Sequence, residues 1–215
     1  MKSLLHKRIT TLILLISLLL QCFVISSCNR RYDEDEVVEA TKVLLKNAEK
    51  LNFIYYGEGI RYQEEEDVKG YYRKAETEHL EELGFSTIDE LKALTEATFS
   101  DDYSNILYSN FLNALMSNGT LVSATRYYQA YDENTKEPTN IMVHSKYEPM
   151  MTSTVTYDYD SISVEKSKKK KVYATVEAIV TNKDGKSKRI EITITLIEED
   201  DGWKIDNPVY ANYIE

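Results

Sequence analysis

The hydrophobic pattern of the chain changes its period near Gly119, and this change limits the folds that the chain can adopt. Between Asp35 and Phe53, apolar residues recur every three or four positions, which is the period of an amphipathic helix. After Gly119 they alternate, as in the run Val172, Ala174, Val176, Ala178 and Val180. Because helices precede strands along the chain, we expect an α+β fold in which N-terminal helices pack on a strongly twisted antiparallel sheet.

Turn and cap residues divide the two halves into elements. Glycines between residues 55 and 75 predict a loop or short extended pieces. Thr87 with Glu90 forms the pattern of a capping box, and Ser100 before two aspartates predicts a second helix start. Strands are predicted over Thr120–Tyr131, Asn140–Tyr147, Met151–Glu165, Val172–Asn182, Ile190–Leu196 and the closing segment Trp203–Tyr210.

The N terminus has the pattern of an export signal. Basic residues at 2, 7 and 8 precede an almost wholly apolar run over residues 9 to 25. A retained membrane anchor is one interpretation, since the run is nearly long enough to span a bilayer. Its end, Val24-Ile25-Ser26-Ser27-Cys28, resembles the lipobox of bacterial lipoproteins.

In that family the signal is removed before the cysteine, which is then acylated. The resemblance implies a signal peptide over residues 1–27, lipidation of Cys28, a short tether over residues 28–34 and a single domain over residues 35–215. The protein would then be extracytoplasmic and anchored to the cell membrane by its N-terminal lipid. Cleavage of an ordinary signal peptide near Ser27 is the alternative.

Removal of the signal makes the remaining chain strongly acidic. The signal contains three of the 26 basic residues and none of the 36 acidic ones, which leaves a charge of −13. Such a charge argues against a nucleic-acid partner and favours a basic one. The second cysteine, Cys22, lies inside the signal, so the mature domain has no internal disulfide and its core must hold the fold.

Patterns that carry catalysis are missing from the sequence. We find no nucleophile elbow, no phosphate-binding glycine loop and no dinucleotide fingerprint. His79 and His144 fall in different elements and form no zinc motif, which favours structural or solvated histidines. Asp158 and Asp160 have a spacing compatible with glycosidases, but any exposed strand gives the same spacing. We therefore expect a protein without enzyme activity, metal or cofactor.

Tyrosines and acidic tracts are the candidates for a binding surface. All 17 tyrosines follow Cys28, which suits either half-buried strand positions or a contact surface. The lysine-rich run at 166–171 is either a solvated connection between strands or a contact for anionic lipid or wall polymer. The candidate surface residues are Tyr55, Tyr56, Glu58, Glu64, Glu65, Glu66, Tyr157, Asp158, Tyr159 and Asp160.

The order of the elements is carried by four segments, Ser86–Leu91, Phe99–Asp102, Asn118–Val122 and Asp201–Ile205. In this order the chain resembles the NTF2-like and cystatin-like exported domains, and most of all the IseA-like inhibitors of cell-wall DL-endopeptidases. It implies a non-catalytic lipoprotein that occludes the cleft of a peptidoglycan hydrolase with an acidic surface. The alternative is a ligand-binding or accessory NTF2-like lipoprotein of the cell envelope.

Overall fold

The computed structural model describes residues 32–64, 71–113, 115–117, 120–123, 125–165 and 171–212. Several features of the sequence lie outside this part of the chain, namely Cys28, Glu65, Glu66, the Asn118-Gly119 pair and the lysines at 166–170. From Val37 onward the chain forms one compact unit.

The longest helix, α1 (Glu34–Tyr55), follows the predicted amphipathic pattern. The predicted helix ends near Phe53, but the observed helix continues to Tyr55 because the buried stripe continues with it. No helix in the described ranges is both long enough and apolar enough to cross a lipid bilayer. The buried residues of α1 are Val37, Thr41, Leu44, Leu45, Ala48, Leu51, Asn52, Ile54 and Tyr55.

Three shorter helices follow, and the caps predicted for the second and third of them are confirmed. They are α2 (Thr77–Leu83), α3 (Ile88–Thr98) and α4 (Asp101–Leu107), and a turn of π-helix over Tyr108–Leu112 continues α4. At the start of α3, the Glu90 backbone N–H donates to Thr87 Oγ1 at 3.2 Å, and the Thr87 N–H donates to the Glu90 carboxylate at 3.2 Å. Ser100 caps α4 by accepting from the Tyr103 N–H at 3.2 Å.

The described strands form three antiparallel sheets. Strand order is β1-β5-β4 in a three-stranded sheet, β2-β3 in a two-stranded sheet and β6-β7-β8-β9 in a four-stranded sheet. The strands are β1 (Tyr72–Lys74), β2 (Leu115–Ser117), β3 (Thr120–Ser123), β4 (Tyr127–Tyr131), β5 (Pro138–His144), β6 (Thr154–Glu165), β7 (Lys171–Thr181), β8 (Ser187–Glu199) and β9 (Gly202–Ile205).

The α+β class is confirmed, whereas the prediction of one continuous sheet is wrong. The predicted strand over Thr120–Tyr131 is interrupted between Ser123 and Tyr127. At the interruption the Arg126 N–H donates to the Phe111 carbonyl at 2.9 Å, outside any strand ladder, and the Arg126 side chain is buried. The chain therefore leaves one sheet and enters another at this point.

The alternating pattern of β7 and β8 is confirmed in the four-stranded sheet. Val172, Ala174, Val176, Ala178 and Val180 are each at most 1% exposed. Across the ladder, Ile192, Ile194 and Leu196 of β8 are buried on the same face. Burying such large side chains contributes roughly 1.5–3 kcal/mol each. The inner face of this sheet is consequently filled with apolar side chains.

A β-bulge interrupts the pairing of β6 with β7. From the Asp158–Glu177 pair to the Ser163–Thr175 pair, the chain advances by five residues on β6 and by two on β7. The Ser161 hydroxyl fills the gap, since it accepts from the Glu177 N–H at 2.8 Å and donates to the Asp158 carbonyl at 2.6 Å. The bulge thus replaces ladder hydrogen bonds by side-chain ones.

Candidate binding cleft

Three of the tyrosines predicted to form a binding surface are buried instead. Tyr55, Tyr56 and Tyr157 are 0%, 7% and 6% exposed, so the prediction is wrong for them. Tyr55 lies on the buried stripe of α1, and Tyr157 points inward from β6. Buried phenol hydroxyls need hydrogen-bond partners, and each of the three has one inside the protein. The Tyr55 hydroxyl hydrogen-bonds to Thr95 Oγ1 at 2.9 Å, and the Tyr56 hydroxyl to Tyr103 Oη at 3.0 Å. The Tyr157 hydroxyl donates to the Val209 carbonyl.

The remaining candidates fall into two separate places. Asp158 and Asp160 are exposed on β6. Tyr159, between them, reaches α1, where its hydroxyl donates to Glu49 Oε2 at 2.8 Å. Glu58 and Glu64 are exposed in the segment Tyr56–Glu64 that follows α1, which we call the cleft loop. Of all these residues, Glu58 lines a cleft in the protein surface.

The cleft lies where the end of α1, the cleft loop and α2 meet. Its volume is about 450 Å³, within the range of roughly 300–1,000 Å³ that small-ligand sites occupy. It is open to solvent on one side. The lining residues are Phe53, Glu58, Gly59, Ile60, Arg61, Tyr62, Glu76, His79 and Glu82.

The cleft loop is held by two neighbouring side chains from the start of β4. Arg126 donates to the carbonyls of Tyr55 and Gly57, both at 2.7 Å. The Tyr127 hydroxyl donates to the Ile54 carbonyl at 2.7 Å and accepts from the Ile60 N–H at 3.2 Å. A cation at the C-terminal end of a helix is favoured by the helix dipole, so Arg126 serves as a buried cap for α1.

Burial and neighbouring charges set the ionisation of this pair. Burial lowers the pKa of the Arg126 guanidinium, and it raises the pKa of the Tyr127 hydroxyl to about 12. The Arg126 guanidinium also lies 4.1 Å from the centre of the Tyr147 ring, in a cation–π contact. At neutral pH the loop is therefore held by a charged arginine and a neutral tyrosine.

Gly59 makes this close packing feasible. Its φ of +80° lies in the left-handed region, which residues with a Cβ rarely adopt. A Cβ at this position would lie 2.2 Å from both Arg126 Nη2 and Tyr127 Oη. Glycine is thus required here both by the backbone conformation and by the approach of the two side chains.

His79 forms part of the cleft wall and is only 7% exposed. Its Nδ1 accepts a hydrogen bond from the Arg61 N–H at 2.8 Å, so in the neutral ring the proton lies on Nε2. Burial, followed by the charge of Arg61, lowers the pKa of the imidazole. His79 consequently joins α2 to the cleft loop as a neutral ring.

Carboxylates outnumber cations in the cleft. Arg61 forms ion pairs with Glu76 at 3.3 Å and with Glu82 at 3.0 Å. Glu58 has no hydrogen bond or ion pair with any described residue, although its charge raises the pKa of the nearby Arg126. Three carboxylates against the guanidiniums of Arg61 and the nearby Arg126 still leave the cleft negative. It is suited to a ligand that carries a positive charge and a hydrogen-bond acceptor.

Sequence reasoning named Glu58 as a candidate, but it missed Arg126 and Tyr127, which hold the cleft loop. His79 is predicted to be structural or solvated. Its burial could have been predicted because it lies on the same helical face as Leu80 and Leu83, the other buried residues of α2. No sequence pattern indicates the role of Arg126 and Tyr127, because their hydrogen-bond partners lie about 70 residues away in the chain.

The described residues contain no group of three or more His, Cys, Asp or Glu side chains placed to hold a metal ion. Comparison of the sequence with protein-family models gave no match, and comparison with curated proteins gave none either.

Proposed function

We propose that the chain is an extracytoplasmic lipoprotein, acylated at Cys28, that acts by binding a protein partner and not by catalysis. The partner that we propose is a peptidoglycan hydrolase of the DL-endopeptidase type, which the protein inhibits. We further propose that its α+β fold belongs to the NTF2-like and cystatin-like group.

The filled inner face of the four-stranded sheet carries this proposal. A protein that encloses a small ligand within a curved sheet needs a cavity there. The inward residues of β7 and β8 are instead packed against other side chains, as Val176 and Ile194 illustrate with 1% and 0% exposure. Recognition is then left to the outer surface, which favours a macromolecular partner.

Charge supports the choice of a basic partner. The proposed mature chain carries −13, and the cleft and the outer side of β6 both present exposed carboxylates. Complementary charge mainly speeds association and excludes partners of the wrong sign. Inhibition by occlusion needs no catalytic group of its own.

A small-ligand-binding lipoprotein is the second candidate, and the cleft of about 450 Å³ favours it. The two candidates differ in what the protein retains from an envelope extract: an enzyme in the first case, and a low-molecular-weight compound in the second.

The test is capture from envelope extract by the full chain in detergent micelles, followed by a muropeptide-release assay on purified cell wall. We expect a hydrolase among the captured proteins and slower release of muropeptides as the lipoprotein is added. Unchanged release at saturating lipoprotein would refute inhibition.

The anchor is tested separately with the variant Cys28→Ala. We expect this variant to lose acyl labelling and to leave the membrane fraction, because the lipid provides the attachment. Membrane retention with unchanged acyl labelling would rule out lipidation at Cys28.

A further inference from the structure

Two polar groups of the cleft have no partner among the described residues. The first is His79 Nε2, which carries the proton because Nδ1 accepts from the Arg61 N–H. The residue lines the cleft, although as a whole it is only 7% exposed. The second is the Glu58 carboxylate. One donor and one carboxylate therefore make no hydrogen bond or ion pair with a described residue, whereas Arg61, Glu76 and Glu82 are paired.

The structural role of His79 does not use Nε2. Holding the cleft loop requires only the acceptor Nδ1. The ring also makes an edge-to-face contact with Phe53, at 6.3 Å between ring centres. A ring that lines a cleft and has a donor without a protein partner can bind an acceptor on a ligand.

The charges in the cleft indicate that the ligand also carries a cationic group, besides the acceptor for His79. Arg61 is already paired with Glu76 and Glu82, so it offers little to an anion. Glu58 is the carboxylate left over, and its charge attracts a cation. Phe53 and Ile60 add apolar wall, against which the methylene groups of a long cationic side chain can pack.

We propose that the cleft binds a lysyl residue of the protein partner: the ammonium pairs with Glu58, the methylenes lie along Phe53 and Ile60, and the backbone carbonyl accepts from His79 Nε2–H. This inference rests on the proposed function, because it names the chemistry by which the protein partner is recognised. Lysine is the cation that we propose because its compact ammonium needs one carboxylate partner and its stem is an unbranched apolar chain.

The test uses two blocked tripeptides that differ in one group, acetyl-Ala-Lys-Ala-amide and acetyl-Ala-norleucine-Ala-amide. They are titrated into the full chain in micelles, labelled with ¹⁵N at histidine, and the imidazole resonances are followed by NMR. We expect the His79 Nε2 resonance to move on titration with the lysine peptide. We expect the norleucine peptide to bind about tenfold more weakly, because it lacks the charge-assisted contact with Glu58.

The variants separate the two contacts. In Glu58→Gln, the lysine peptide should bind no better than the norleucine peptide. The matched control is Glu64→Gln, which removes an exposed carboxylate from the same loop but outside the cleft lining; it should keep the tenfold preference. In His79→Asn, the amide oxygen can still accept from the Arg61 N–H, but the donor to the ligand is lost. Both peptides should then bind several-fold more weakly while the preference for lysine persists.

Equal affinity for the two peptides, or a preference that survives Glu58→Gln, would overturn the assignment of the lysine site. A His79 Nε2 resonance that stays fixed at saturation would overturn the carbonyl contact. These outcomes are distinct from failure of the proposed function. If a hydrolase is captured equally well by Glu58→Gln, the cleft assignment is wrong and the function stands. If the lysine peptide binds but no hydrolase is captured, the proposed function is wrong and the lysine site stands.

Discussion

The four-stranded sheet and the cleft loop are held together by opposite means. In the sheet, antiparallel ladders join β6, β7, β8 and β9 in that order, and alternate side chains of β7 and β8 bury one apolar face. The cleft loop has almost no regular structure. It is fixed by hydrogen bonds between backbone atoms and the side chains of Arg126, Tyr127 and His79, of which His79 accepts. The sheet depends on many similar apolar contacts, whereas the cleft loop depends on a few directional hydrogen bonds.

This difference predicts how each region responds to substitution. Apolar burial is spread over many residues, so a truncation in the sheet costs in proportion to the volume removed. A directed hydrogen bond leaves a desolvated group behind when its partner is removed, so the cost in the loop depends on which atom is orphaned. Four predictions test this contrast, in order of decreasing effect.

Truncation in the sheet should give the largest loss. Ile194 is 0% exposed, and Ile194→Ala should lower the free energy of unfolding by about 3–4 kcal/mol through lost burial and a residual cavity. The measurement is urea unfolding followed by circular dichroism. Ile179→Ala, at a position on β7 that is 40% exposed, is the control and should cost less than about 1 kcal/mol. Equal losses at both positions would contradict a packed inner face.

Removing the cap of α1 should come next. Arg126→Met keeps most of the side-chain volume but deprives the carbonyls of Tyr55 and Gly57 of their donors. We expect a loss of about 2–4 kcal/mol in the same unfolding experiment. Arg189→Met, which breaks only an exposed ion pair with Glu177, should cost at most about 1 kcal/mol. If Arg126→Met is as mild as this control, the loop is not held by Arg126.

Two glycines with nearly equal φ angles allow the cost of steric contact at Gly59 to be separated from the cost of backbone strain. Gly59 and Gly185 have φ of +80° and +79°, but a Cβ would meet Arg126 and Tyr127 at the first and nothing within 4 Å at the second. Gly185→Ala should cost about 1 kcal/mol from backbone strain, and Gly59→Ala about 2–3 kcal/mol because side chains must also move. The two losses are compared by urea unfolding. Equal losses of unfolding free energy in the two variants would show that Arg126 and Tyr127 can move aside without destabilising the protein.

The smallest effect should be a dependence of stability on pH through His79. Burial and the charge of Arg61 hold its pKa below the ordinary value of 6.5, against the opposing charges of Glu82 and Glu76. The unfolded chain therefore takes up the proton first, and the contribution of His79 is present above pH 6.5 and lost as the pH falls below it. Unfolding measured between pH 8 and pH 5 should show a steeper decline for the wild type than for His79→Asn. Parallel curves would exclude His79 as the cause.

The sequence predicts the regular parts of this molecule well because the periodicity of helices and strands can be recognised within a short stretch of residues. The alternation through Val172–Val180, the capping box at Thr87 and the stripe of α1 are each visible within a window of a few residues. Helix and strand periods determine which face is buried, whatever lies on the other side of the core.

The cleft could not be predicted in the same way. Glu58 is a candidate from sequence because glycines flank it, but the side chains that hold its loop come from β4 and α2. The surface prediction for Tyr55 is wrong because the predicted helix ends two residues early; its spacing from Ala48 and Leu51 shows that Tyr55 belongs to the buried stripe. Local patterns locate a loop, but they do not reveal the distant groups that determine its conformation.

The bulge in β6 has a consequence for the protein in crowded surroundings. β6 pairs with β7 on one side, and no other described strand covers its second side. An uncovered strand invites a second copy of the chain to add its own strand, which is how many fibrils grow. The irregular stretch from Asp158 to Ser163 breaks the repeat of donors and acceptors, and it bears two exposed acidic groups. A molecule held at high density on a surface can in this way keep its neighbours apart.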